Sequence, residues 1–262
     1  MLFLKTFLVS LITTSVGFIK FIYFISLGYG FSVASIGVFL LITQKNSGII
    51  EKILGLLYFL YGMRLALFLL YRDLKSSSYH EKMKEERKNR KEMKFSVKIM
   101  LWISCALLYS CQSSPLTFRF TSTKNDKNVS YAGIIIAFLG FLMEARADYE
   151  KNVAKKINPN RFVDSGLFKL VRCPNYFGEI LFWTGNFISG VKIYKWLVQW
   201  IISFIGYICI VFVMFGGTRT LEIRQNKSYG KDPEYQKYVK TTPILIPFIP
   251  LYSVEKYSWM KA

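Results

Sequence analysis

Two stretches carry side chains whose types and spacing could do chemistry. In the first, Tyr61 and Arg64 sit three residues apart inside an otherwise apolar run from Ile53 to Tyr71. On a helix they share a face. A charge in mid-span costs at least ~2.5–3.5 kcal/mol on insertion scales and normally meets a partner or a wet cavity. Arg64 stands about 10 Å of helical rise from the end of the run, and snorkelling covers part of that distance. A partner or cavity for the remainder marks a functional site, and a phenol beside a cation is suited to donate a proton.

The second stretch is Arg161–Glu179, RFVDSGLFKLVRCPNYFGE, where polar, cationic chain runs directly into an apolar segment. Pro174 suits the first turn of a helix, because its missing N–H would go unpaired there anyway. A helix start presents free amides and the positive end of the peptide dipole, which favour an anionic group. Arg161, Lys169 and Arg172 crowd that approach. Asn175 and Glu179, four residues apart, share a face with Trp183 one step further, so an amide and a carboxylate point into one site. Gly178 between them admits another backbone or a flat ligand. The residues alone leave a second reading equally open, a basic membrane-edge loop whose Glu179 pairs with a nearby Lys or Arg.

Ser165-Gly166-Leu167-Phe168 followed by Arg172-Cys173-Pro174-Asn175-Tyr176-Phe177-Gly178-Glu179 resembles the C-terminal signature of the steroid 5α-reductase superfamily. It is closest to a branch of membrane proteins that reads S-R-H-P-N-Y-F-G-E, with Cys173 here in place of the His. The resemblance runs from about Ile53 to Pro250 and implies an NADPH-dependent membrane reductase. Tyr61 and Arg64 fall where the steroid reductases carry a Tyr-x-x-Arg whose tyrosine donates the proton. By the same similarity Asp148, Arg161, Asn175 and Glu179 match positions that hold NADPH, and Lys155 or Lys156 matches a basic residue beside its phosphates. Arg172, Tyr176 and Arg224 are expected in the same pocket. The implied reaction sends hydride to a carbon–carbon double bond conjugated to a carbonyl in a sterol, isoprenoid or enoyl lipid. The steroid reductases also use a glutamate from an earlier span to orient the ketone, whereas no Asp or Glu precedes Glu51 here. The likeness therefore covers the cofactor half of the site and not a 3-oxo-steroid.

Isoprenylcysteine methyltransferases share a related Arg-His-Pro-x-Tyr motif and a similar tail, which makes methyl transfer from S-adenosylmethionine the alternative. Asn175 and Glu179 fit the reductase pattern, and the His and second tail Glu of the methyltransferases are absent. A third reading is a non-catalytic membrane protein that keeps the reductase fold.

The elements that must position these residues are membrane helices. With 52% hydrophobic and 17% aromatic residues in 262 positions, the chain is too apolar for a soluble domain and too charged to lie wholly in a bilayer. The formal charge of +19 does not mark a nucleic-acid binder, because Lys and Arg lie between apolar runs and not on one compact domain. Cys105, Cys111, Cys173 and Cys209 have no CxxC spacing, so neither a zinc site nor a disulfide framework is expected. Cys173 reads as a packed thiol whose cationic neighbours would lower its pKa. The one histidine, His80, lies in a charged loop and excludes any mechanism that needs a His pair.

The expected fold is all-α, a polytopic bundle of about seven transmembrane helices with a cytosolic cofactor-binding face. N-terminal membrane segments occupy residues 1–50 and a reductase-like domain residues 51–262. The spans are Leu2–Lys20, Phe21–Ile42, Ile53–Tyr71, Phe95–Cys111, Val129–Met143, Tyr176–Gly190 and Trp196–Gly217. Loops on one side hold 26 Lys or Arg against seven on the other. The positive-inside bias then puts the signature and the C-terminus in the cytosol, in the endoplasmic reticulum membrane of a eukaryote. The fifth span is expected to continue as a cytosolic helix with Glu144, Asp148, Asn152 and Lys155 in one stripe, which alone reads as a solvated face. The tail Arg219–Pro250 is expected to lie as an amphipathic lid on the membrane surface. The expected partners are the bilayer itself and a hydrophobic lipid substrate that enters from it.

Overall fold

In the computed structural model residues 1–75, 94–123 and 126–260 are described, and most of the charged loop 72–98, with His80, lies outside them. All regular structure among the described residues is helical. In chain order the helices are α1 (Leu2–Thr14), α2 (Leu27–Thr43), α3 (Ile49–Lys75), α4 (Phe95–Gln112), α5 (Ser114–Arg119), α6 (Asn128–Ile157), α7 (Pro174–Gly190), α8 (Leu197–Tyr229) and α9 (Pro233–Thr241). Five helical stretches, Phe21–Thr43, α3, α4, α6 and α8, are long and apolar enough to cross a membrane. The other two expected spans are the shorter helices α1 and α7, of 13 and 17 residues. A helix of that length rises at most about 25 Å, less than a hydrocarbon core of about 30 Å.

The chain divides into two compact units. The first comprises Met1–Tyr131 and Ser189–Gly206. Its centre is α2 against α3, and small residues let the two backbones meet. A methyl group added at Gly30 would stand 2.9 Å from both Ala66 N and Gly62 O, and one at Gly37 would stand 2.6 Å from Gly55 O. Each end of α3 is held by a carboxylate, half-buried at Glu51 and buried at Asp73. Glu51 in its first turn pairs with the buried Arg119 at 3.1 Å. Near its other end Asp73 accepts from Lys20 at 2.6 Å and from the Tyr23 hydroxyl. These carboxylates, 22 positions apart, are separated by about 33 Å of helix.

The second unit comprises Ala132–Ile188 and Tyr207–Ala262. Here α6 packs on α7 through glycine in the same manner. A methyl at Gly178 would meet Glu144 N at 2.6 Å and Gly140 O at 2.8 Å, while one at Gly185 would run into Ala137. The helix α6 continues without a break to Ile157, as its sequence pattern predicts. The tail differs from expectation, because α8 runs on through Tyr229 before the short α9 begins. Beyond α9 the chain is bound to the signature segment. Arg172 N and Cys173 N donate to Pro243 O and Ile244 O at 2.9 and 3.0 Å, and Ile244 N donates to Leu251 O at 2.8 Å.

Candidate functional site

In the second unit the Ser165–Phe168 part of the signature is a turn held from behind. Gly166 has φ 61°, a left-handed conformation that costs other residues roughly 1–2 kcal/mol, and an added methyl there would strike the Glu150 carboxylate. That carboxylate accepts Leu167 N at 2.8 Å with one oxygen and Arg146 Nε at 2.8 Å with the other. Phe168 and Val163 bury against Ala147 of α6 beneath the turn. Phe162 stacks on Tyr238 with ring centroids 5.4 Å apart.

Two of the cations expected to hold the cofactor, Lys155 beside its phosphates and Arg161, are engaged within the protein. Lys155 donates to Pro159 O at 3.0 Å, to the Tyr229 hydroxyl at 2.8 Å and to Arg161 O. An ammonium has three donors, so Lys155 is fully used in closing the loop after α6. Arg161 reaches Glu234 at 2.6 Å and Asp164 at 2.8 Å, and the hydrogen bonds it donates to Glu234 and then to Asp164 raise its pKa. It lines an outer cleft of about 470 Å³ together with Arg146, Tyr149, Glu150 and Ile157. Arg224 is exposed on α8.

Arg172 is only 2% exposed. Its Nη2 donates to Glu222 Oε1 at 2.9 Å and to Tyr252 O, while Glu222 Oε2 accepts Val254 N at 2.8 Å and Glu255 N at 2.9 Å. One buried ion pair thus ties the signature to α8 and to the last described strand of backbone. Cys173, beside it, is the packed thiol expected, 2% exposed, but its pKa moves opposite to expectation. Burial pushes the thiol up to about 11, and the opposing pull of Arg172 and Lys151 is the smaller effect.

Pro174 does open α7. Asn175 is half-buried and Glu179, one turn on, is buried. The close approach at Gly178 sets this turn against Glu144, with Asp148 one turn further along the same face of α6. Glu144, Asp148 and Glu179 are 3%, 8% and 7% exposed. The stripe that reads as solvated in the sequence is therefore buried at its first two positions, exposed at Asn152 and half-buried at Lys155. Tyr176 faces α8, where a methyl at Gly217 would lie 3.5 Å from its ring. Sequence reading passed over Glu144 and Glu222 as site residues. The spacing of Glu144 from Asp148 was visible, but the pairing of Glu222 with a residue 50 positions away was not.

In the first unit Tyr61 is fully buried. Arg64 is half-buried, with its guanidinium 5.5 Å from the centre of the Phe68 ring one turn later. No group of three or more His, Cys, Asp or Glu among the described residues could hold a metal.

A family model described as "Protein of unknown function (DUF1295)" matches residues 6–242. The chain belongs to this family of steroid 5-alpha-reductase-like proteins. Among curated proteins it is similar to Steroid 5-alpha-reductase DET2 of Gossypium hirsutum, with 43% identity over 56 residues, which is 21% of this chain and 22% of that protein. The match spans about a fifth of that relative's length. No solved structure matches. In this DUF1295 member the signature's geometry is an α6–α7 glycine contact with three buried carboxylates and a half-buried amide beside it.

Proposed function

We propose that this chain is an NADPH-dependent membrane reductase that saturates a carbon–carbon double bond of a lipid. The observation that carries the reading is the face of Glu144, Asp148 and Glu179 with Asn175, buried inside a helix pair of a chain that is similar to a steroid reductase. Carboxylates accept hydrogen bonds from ribose hydroxyls, and an amide can both donate to and accept from a carboxamide. Asn175, Glu179 and Asp148 would hold those groups, with Glu144 beside them. Lys155 would act only by closing the loop, and Arg161 and Arg146 border the outer cleft. When bound, NADPH supplies a hydride for the lipid double bond. Tyr61 is assigned the proton delivered to the other end, on its place in the Tyr-x-x-Arg pattern, with Arg64 one turn away. The lipid would enter from the bilayer and the cofactor from the cytosol, where the bias of basic loops puts the signature.

The test is the thermal midpoint of detergent-purified protein, since a ligand that binds the folded state stabilises it by mass action. NADPH is expected to raise the midpoint and S-adenosylmethionine to leave it unchanged. A rise with S-adenosylmethionine alone would put methyl transfer in place of reduction.

A further inference from the structure

The last described backbone returns along α8. On that helix Phe212, Arg219 and Asn226 follow one another at intervals of seven residues, two turns each, so the three share one face. The tail meets them from Asn226 downward. The Glu255 carboxylate accepts Asn226 Nδ2 at 2.6 Å, the Glu255 carbonyl accepts Arg219 Nε at 3.0 Å, and the Trp259 ring lies 6.0 Å from that of Phe212. Tyr257 packs edge-on against Trp259 at 6.4 Å, and Lys256 Nζ stands 5.1 Å from the Tyr257 ring. The upper end of the segment is fixed by the fully buried Val254 and by the two amides that Glu222 accepts.

Trp259 is nevertheless 64% exposed. Its neighbour Phe212 ends a stripe of Ile201, Ile205, Ile208 and Phe212, exposed on a helix long and apolar enough to cross a membrane. Such a stripe meets acyl chains. Phe212 stands five residues before Gly217, where the apolar run closes, which is about 7.5 Å of helical rise. Trp259 is therefore at the depth where hydrocarbon gives way to headgroups. Trp and Tyr are enriched at that level, and a Lys stem there carries its charge back to water.

We propose that residues 254–260 are an interfacial strap, with Trp259 seated in the headgroup–acyl boundary of the bilayer. Lipid is the occupant of this surface because the surface is continuous with the stripe that α8 turns to the membrane. The amides of the strap end on the same Glu222 that holds Arg172, so the seat makes the bilayer a support for the signature's ion pair. Neither point depends on which reaction the chain performs.

The chain has five tryptophans, so Trp259 is isolated as the difference in emission between wild type and Trp259→Phe, which keeps a ring on Phe212. The full chain is reconstituted into phosphatidylcholine vesicles that carry a nitroxide either near the headgroup or near the end of the acyl chain. The difference emission is expected to be quenched more strongly by the shallow nitroxide than by the deep one, and little by aqueous iodide. Quenching by iodide and by neither nitroxide would put Trp259 in water and overturn the strap. Quenching by none of the three would mean that protein covers it, a second copy or another chain, and would overturn the strap as well. Trp259→Ser tests the link to the signature. In vesicles, amide exchange of the peptide holding Val254 and Glu255, read by mass spectrometry, should speed up about tenfold or more, while the peptide around Gly178 keeps its rate. Unchanged exchange at Val254 and Glu255 would mean that Glu222 holds the strap without the bilayer, and the support would be wrong.

Discussion

Tyr61 and Glu179 are assigned different work, and substitutions of a few atoms separate them. Tyr61→Phe should lower turnover by roughly 10²-fold or more with NADPH affinity nearly unchanged, the scale for loss of a general acid. Glu179→Gln should instead weaken NADPH and change turnover at saturation less. Full turnover in Tyr61→Phe would assign the proton to another group. At Cys173 the thiol sits at about 11 in the folded protein against an ordinary value of 9. Folding therefore favours the protonated form, so stability is intact below pH 9 and falls as pH rises from about 9 to 11. Tyr235, pushed up to about 12 by burial, adds to the loss in the same direction. Iodoacetamide should accordingly leave Cys173 unlabelled at pH 8 in the folded protein and modify it on unfolding, as read by mass spectrometry. At this scale the sequence was legible where spacing is local, as with Asn175 and Glu179. It was not legible where partners come from afar or from main chain: the acceptors of Lys155 include carbonyls that any residue could present, and Glu222 meets Arg172 only in the folded chain.

The pairs α2–α3 and α6–α7 are each built on backbone contact through glycine, and neither leaves room for a larger side chain. Gly178→Val and Gly62→Val should each destabilise the protein by about 1–3 kcal/mol or more, the range for overpacking, seen as a lower midpoint in detergent. A larger loss of NADPH affinity is expected for Gly178→Val than for Gly62→Val, since only the former moves Glu179 relative to Glu144. Gly166→Ala should cost at least ~1–2 kcal/mol from its left-handed backbone, and equal stability would mean the turn relaxes. Much of this level was readable. Pro174 marked the start of α7, and Gly178 announced a close approach that turned out to be another backbone. The unbroken run of α8 was hidden because Arg219, Arg224 and Lys227 give its last turns the composition of a surface lid.

For the molecule as a whole, composition and apolar periodicity were enough to read an all-helical membrane protein. The number of crossings was less legible, because α1 and α7 are apolar but short. The basic-residue bias predicts that a glycosylation acceptor inserted near Ser77 stays unmodified in a eukaryotic membrane, and its glycosylation would invert the topology. Within the first unit, the carboxylates at the two ends of α3 make that helix a gauge of bilayer thickness. Their separation of about 33 Å is close to a hydrocarbon core of about 30 Å, so both ion pairs fall at the headgroup level in a matched membrane. A thicker one would draw Asp73 with Lys20, or Glu51 with Arg119, into oil, and a thinner one would force tilt. Reconstituted into vesicles of graded acyl length, the protein should be most heat-resistant near the matched thickness. Asp73→Asn combined with Glu51→Gln should broaden that optimum, giving a protein less particular about the membrane in which it is found.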